Sequence, residues 1–328
     1  MKNTNTKNIP PIDEFFNTDN LAKMFIDYYI LAKQRTDIFR FTDGLWGMIT
    51  TKNVFDLIKN DFVQYLLNYV SIYPNNDIYV NTINKLFITY NSIDSFISII
   101  VTKLKDISEL ADSLLNIITF NNGIYMYKYK KFDRIKVDYY LTLSTKYNYN
   151  DKVNNEIKNN IVTYLKNTFN NNYSKIINLL ARTLISSNSI INNKLNVNVF
   201  IGSKLNLSIL IKLISGTFGD YYVEKYDNSL SQLHKYNQNY LSFYRKRFML
   251  TKIENTLFFK NNMQKIGYVD IYVVTTDINQ KYYDDIEWNK IFLYDDNLDN
   301  TMYVKFEQQT YHTEFMNILI NEMNNIVI

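Results

Sequence analysis

Asn198-Val199-Phe200-Ile201-Gly202-Ser203-Lys204-Leu205-Asn206-Leu207-Ser208-Ile209 is the stretch on which the fold turns. Val199-Phe200-Ile201 is a short run of β-branched and aromatic side chains, the pattern of a strand buried on both faces. Gly202 ends the run and a polar interval follows; residues 207–216 then carry apolar side chains at helical spacing, closed by Phe218-Gly219-Asp220. Three more apolar runs of strand length come later: Phe248-Met249-Leu250, Asp270-Ile271-Tyr272-Val273-Val274 and Ile291-Phe292-Leu293-Tyr294. Strand, loop, helix and then further buried strands predict an α/β domain with a largely parallel sheet over residues 196–328, ended by a helix over 313–326.

Upstream of that stretch the punctuation changes. The 328 residues hold three Pro and seven Gly, so long helices are expected in the first half. Residues 13–33 predict one, N-capped by Thr18 or Asp19, with Leu21, Met24, Phe25, Tyr28, Tyr29 and Ala32 as its apolar stripe. Phe39, Phe41 and Trp46 around Asp43-Gly44 predict a short hairpin. Helices follow over 54–69, 77–90, 93–104 and 107–117. A second hairpin is predicted with its turn at Asn122-Gly123, between the 118–120 and 124–127 runs. Helices resume over 154–170 and 174–187. The whole is α+β: a mostly helical domain with small hairpins over 1–150, a helical linker over 151–195, and the shortened α/β domain over 196–328.

Composition removes several function classes. There is no Cys, and His234 and His312 are the only histidines, so disulfides, iron–sulfur clusters, thiolate zinc sites and histidine-rich metal sites are excluded. No metal site is expected. The 47 Asn alternate with apolar residues at core-like spacing and do not form a low-complexity tract. The first seven residues lack the apolar core of a signal peptide. The longest apolar region, 176–191, is broken by Asn178, Arg182 and Asn188. A soluble intracellular protein without a membrane span is expected.

The net charge of +4 is mild, but its distribution is uneven. Residues 235–265 hold seven Lys/Arg against Glu254, and residues 267–300 hold eight Asp/Glu against Lys281 and Lys290. Two complementary solvated faces account for this pattern. So does a nucleic-acid contact through Lys235, Arg245, Lys246, Arg247 and Lys252, with Tyr240, Phe243 and Tyr244 as stacking platforms.

The 199–209 segment occupies the place of a phosphate-binding loop, after a buried strand and before a helix. Such a loop works because glycines let backbone N–H groups wrap the phosphates, a lysine neutralises their charge and a hydroxyl holds Mg²⁺. Its order resembles the strand, G-x-G-x-N-G-K-S, helix and Gly-Asp-Tyr-Tyr of the superfamily 3 helicase domain in poxvirus-type primase-helicases of large DNA viruses. Gly202, Asn206 and Gly219-Asp220-Tyr221-Tyr222 match that pattern. Lys204 and Leu207 stand at its second and third glycines, Ser208 at its lysine, and Ile209 at its magnesium-binding hydroxyl.

The resemblance continues in order. Glu254, after Phe248-Met249-Leu250-Thr251, is similar to the family's second-motif acid, and Asp277 stands at the polar residue ending its third motif. The stretch Glu287-Trp288-Asn289-Lys290 has no arginine where the family places the pair that reaches a neighbouring subunit's ATP. Upstream, Phe120-Asn121-Asn122-Gly123-Ile124, Arg134, Asp138-Tyr139 and the Trp46 hairpin resemble the domain that precedes these helicases.

The resemblance therefore implies an AAA+-type P-loop fold, lacking the primase, whose nucleotide site survives only as Gly202, Asn206, Ser208, Glu254 and Asp277. It implies no catalytic residue and no cofactor, and a scaffold or accessory role beside viral replication or assembly proteins in the host cytoplasm. Two alternatives stay open at this point. One is a DNA helicase or ATPase holding Mg-ATP in a non-standard site. The other is a nucleic-acid-binding module using 235–265. DNA, other viral proteins and further copies of the chain are the partners these readings name.

Overall fold

The computed structural model describes residues 16–73, 76–114, 116–185, 190–191, 194–225, 245–256, 269–277, 282–284, 286–294 and 300–326. The chain forms two compact units, one of residues 1–111 with 137–142 and the other of 112–136 with 143–328.

The first unit is mostly helical. Helix α1 (Thr18–Tyr29) starts at Asn17, whose side chain accepts the Asn20 N–H, and stops at Ile30, which is left-handed with φ 51°. Residues predicted to continue that helix instead form strand β1 (Leu31–Gln34). It pairs antiparallel with β2 (Asp37–Thr42), which pairs with β3 (Leu45–Ile49). Asp43 and Gly44 make the predicted turn, both with positive φ, at 53° and 91°.

One long helical stretch runs from α2 (Thr51–Asp56) through a π segment, Leu57–Phe62, into α3 (Val63–Val70). The sequence explains the π segment. Val54, Ile58, Phe62, Leu66 and Val70 are all fully buried and recur at every fourth position. In a straight α-helix each such step overshoots a full turn by about 40°. The wider π turn underwinds the helix and brings the five side chains back toward one line. They pack with α1, α4 (Asp77–Phe87) and α5 (Tyr90–Lys103), in a core where Phe25 meets Phe62 edge-on at 5.0 Å and Phe87 meets Phe96 the same way at 5.0 Å. The helix predicted over 107–117 does not form: 108–112 is a series of turns and Ile117 opens a strand.

The second unit contains two sheets. Strands β4 (Ile117–Phe120), β5 (Gly123–Met126) and β6 (Lys131–Asp133) form an antiparallel meander. The predicted turn is shifted by one residue. Phe120 pairs with Gly123, so Asn121 and Asn122 make the turn and Gly123 lies in the strand. Gly123 is required by crowding, since a Cβ there would sit 2.4 Å from the Phe132 ring and 2.5 Å from the Asp133 carbonyl.

Helices α6 (Asn155–Phe169) and α7 (Tyr173–Thr183) come next. Their Leu165 and Leu180 are fully buried in one core with Leu210 and Tyr272. The larger sheet has β7 (Ile190–Ile191) antiparallel to β8 (Lys194–Ile201), and otherwise runs parallel in the order β12, β8, β11, β10, β9. Its members are β9 (Tyr222–Lys225), β10 (Phe248–Thr251), β11 (Asp270–Thr275) and β12 (Ile286–Phe292). Helix α8 (Lys204–Phe218) crosses from β8 to β9, and the short α9 (Asn300–Lys305) and α10 (Gln309–Asn325) end the described chain.

Alternation along the strands divides the core. Phe200, Tyr272 and Phe248, on three adjacent strands, stack on one face at 5.5 and 3.8 Å and meet the helices. Val197, Val199, Ile201, Met249, Ile271 and Val273 fill the other face. Among the described residues no helix is long and apolar enough to cross a membrane.

Candidate functional site

A parallel sheet places all its strand C-termini on one edge, and loops there are where α/β folds bind ligands. Ile201 of β8 is level with Thr275 of β11 and with Phe292 of β12. The residues that follow these strands therefore share an edge: Gly202 to Lys204 after β8, Lys252 to Glu254 after β10, and Thr276 with Asp277 after β11. Three of the five expected remnants, Gly202, Glu254 and Asp277, are brought to this edge. Asn206 and Ser208 are not loop residues, because they lie in the first two turns of α8.

The β8–α8 corner is two residues long, Gly202 and Ser203. Ser203 is the N-cap, with φ −62° and ψ 153°; its Oγ accepts the Asn206 N–H at 3.2 Å and its carbonyl accepts the Leu207 N–H at 3.0 Å. A phosphate cradle needs successive backbone N–H groups aimed at the ligand. Here those of Asn206 and Leu207 are used by Ser203, and that of Gly202 donates to the Thr275 carbonyl at 3.3 Å.

Gly202 itself answers to packing. A Cβ at this position would lie 2.8 Å from the Leu293 Cβ, so the absence of a side chain lets β12 end against the corner. The Asn206 side chain is buried at 1% exposure. Ser208 donates its hydroxyl to the Leu205 carbonyl one turn back, at 2.8 Å.

Beside the corner is a depression of about 420 Å³ with Lys204, Ser208 and Thr275 among its polar walls and Leu207, Ile211 and Val274 as apolar ones. Lys204 is exposed. Glu254 and Asp277 are also exposed and line no part of the depression. Asp277 uses its N–H on Thr275 Oγ1 at 3.0 Å. Among the described residues, the depression thus offers one ammonium and several hydroxyls over an apolar floor, with no carboxylate in its wall. Among the described residues no three His, Cys, Asp or Glu side chains cluster as metal ligands would.

The basic run before β10 is largely drawn inward. Arg247 is 4% exposed, donates Nη2 to the Ile117 carbonyl, and lies 4.7 Å over the Tyr221 ring. Its backbone N–H goes to Tyr221 and its carbonyl accepts from Asp270, both at 2.9 Å. This arginine ties the meander to the larger sheet, and no nucleic-acid contact is open to it. Lys246 donates its ammonium to the Asp220 carbonyl. Burial pulls its pKa below the usual lysine value, against the attraction of Asp220 and Asp112. Arg245 is half-buried with φ 61°, Lys252 is exposed, and Lys235 lies outside the described residues.

Sequence reasoning singled out two distant motifs but missed residues 143–147, which join them. Gly219, with φ 53°, is pressed against residue 145, where a Cβ would meet the Thr145 carbonyl at 2.4 Å. Asp220 pairs with Lys146 at 2.7 Å and accepts the Ser144 N–H at 3.2 Å. The Tyr221 hydroxyl accepts the Thr119 N–H at 3.1 Å and donates to the Leu143 carbonyl at 3.3 Å. Asn121 donates its N–H to the Tyr147 carbonyl at 3.0 Å, and the Tyr147 hydroxyl donates to the Thr217 carbonyl at 2.7 Å. The Phe120-Asn121-Asn122-Gly123 and Gly219-Asp220-Tyr221-Tyr222 segments therefore meet through residues 143–147. No local periodicity signals this meeting.

No family model matches the chain, and no curated protein matches it. Solved structures of the NrS-1 C-terminal region are similar in outline. The A-form apo structure is 11% identical, with 94% of this chain and 71% of that chain covered and a TM-score of 0.48. A further apo structure of that region is 12% identical, with 95% and 72% covered and a TM-score of 0.48. Likeness at this level leaves function to be argued from the geometry of this chain.

Proposed function

We propose that the chain is a catalytically inactive helicase- or NTPase-like protein that serves as a scaffold or accessory partner in the replication or assembly of a DNA virus. One observation carries the reading: the β8–α8 corner holds two residues, and its N-cap consumes N–H groups that a phosphate would need. Losing one electrostatic contact to the transition state typically slows a reaction about a hundredfold or more. Here the loop lysine, the Mg²⁺ hydroxyl and two loop glycines are all replaced, and Glu254 is exposed and not in the wall of the depression. What is retained is the parallel sheet and the joint between the meander and α8, which is what a binding scaffold requires.

Nucleotide turnover by the purified chain, with and without single-stranded DNA, tests the proposal. It predicts no Mg-ATP hydrolysis above buffer. Robust DNA-dependent turnover that Glu254→Gln abolishes would overturn it and favour an ATPase with a non-standard site.

A further inference from the structure

We propose that the cavity between the start of α6 and the first turns of α10 binds a cationic N–H donor, an ammonium or guanidinium group. The cavity measures about 370 Å³, and Asn150, Lys152, Asn154, Thr310, Thr313 and Glu314 are among its walls. Glu314 is 3% exposed. One carboxylate oxygen, Oε2, accepts the Asn154 N–H at 3.0 Å, and the other, Oε1, is buried without a donor. Glu314 makes no ion pair with any described residue.

Three positions on, Asn317 repeats the pattern. It is 5% exposed and donates Nδ2 to the Asn150 carbonyl at 2.9 Å, while its Oδ1 is buried without a donor. Positions i and i+3 share one helix face. Asn317 does not line the cavity, whereas Glu314 does, and a buried carboxylate oxygen without a donor is costly unless something supplies an N–H group and positive charge.

A divalent metal does not fit, because hard cations take several carboxylates and the cavity offers one. Ammonium and guanidinium carry only donors, three and five respectively, and the surrounding Asn and Thr oxygens can accept the remainder. Lys152 is exposed on the wall and disfavours a ligand with a second positive charge nearby. The group is therefore best supplied singly charged, as a basic side chain of a partner protein, and a free polyamine is disfavoured.

Calorimetric titration of the full chain with acetyl-arginine methylamide and, separately, with agmatine distinguishes these sources. Saturable one-to-one binding is expected, tighter for the singly charged probe because of Lys152; tighter binding of agmatine overturns the assignment to a protein side chain. Glu314→Gln keeps an acceptor for the Asn154 N–H but removes the charge, and should weaken binding about tenfold or more. Lys152→Glu, at an exposed position, should tighten it. Absence of binding by either probe, meaning that water alone fills the cavity, overturns the proposal. So does unchanged affinity in Glu314→Gln, or in Lys152→Glu, which decides the matter alone if the first variant does not fold.

Discussion

Replacing Gly202 by alanine separates a packing role from a phosphate-binding one. The new Cβ would lie 2.8 Å from the Leu293 Cβ, with Cγ and Cδ2 of the same leucine at 3.5 and 3.6 Å. The nearest atom is fixed to the backbone, and the Leu293 N–H is itself held by the Ile201 carbonyl at 2.8 Å. The end of β12 must therefore move. Overpacking of this kind costs about 1–3 kcal/mol. Gly202 has no left-handed φ, so alanine also gains about 0.4–1 kcal/mol by restricting the unfolded chain. A net loss of about 1.3 kcal/mol, within a range of about 0–2.6 kcal/mol, follows.

Urea unfolding followed by tryptophan fluorescence in a Trp46→Phe background measures this, because Trp288 is then the only tryptophan and lies in β12. The partner variant sharpens the test. Leu293→Ala keeps the offending Cβ and should not relieve Gly202→Ala, whereas Leu293→Gly removes it and should make the alanine neutral or better in a double-mutant cycle. A fully stable Gly202→Ala, or equal relief by Leu293→Ala and Leu293→Gly, would refute the reasoning.

Two further perturbations follow from the same unit. Gly216→Ala should destabilise although alanine is the better helix former by about 1 kcal/mol. A Cβ there meets His312 Nε2 at 2.1 Å and displaces a ring that bonds the Phe306 carbonyl at 2.7 Å; the variant melting at or above the parent temperature would contradict this. Burial lowers the His312 pKa below its usual 6.5, so the unfolded chain takes up the proton first as pH falls. Stability from this group is present above about pH 6.5 and is lost as pH drops toward the folded pKa. His312→Gln should flatten the corresponding slope in urea midpoints between about pH 7 and 5.

Much of the fold was legible where local chemistry decides it. Asp43-Gly44 makes its turn because both residues tolerate positive φ, and β8 follows from Val199-Phe200-Ile201, buried on both faces. The failures are all non-local. Leu31 to Gln34 continue a helical stripe, yet they pair with β2. Tyr222 to Lys225 follow a helix end, yet parallel pairing with β10 makes them a strand. Gly123 looked like a turn residue and is instead spared a side chain by Phe132. At the candidate site the sequence order was readable, but the length of the corner was not. Whether α8 begins at Lys204 or at Leu207 depends on Ser203 capping the helix, and a gapless match to a loop pattern hides that choice. Arg247 shows the same limit, since a basic triplet suggests a surface and its burial is fixed by the Ile117 carbonyl and the Tyr221 ring.

The central claim is that the corner after β8 is a capped helix start, not a phosphate cradle. Calorimetric titration of the full chain with Mg-ATP tests it most directly. The account predicts no saturable heat. Tight one-to-one binding that is lost in Lys204→Ala would contradict it.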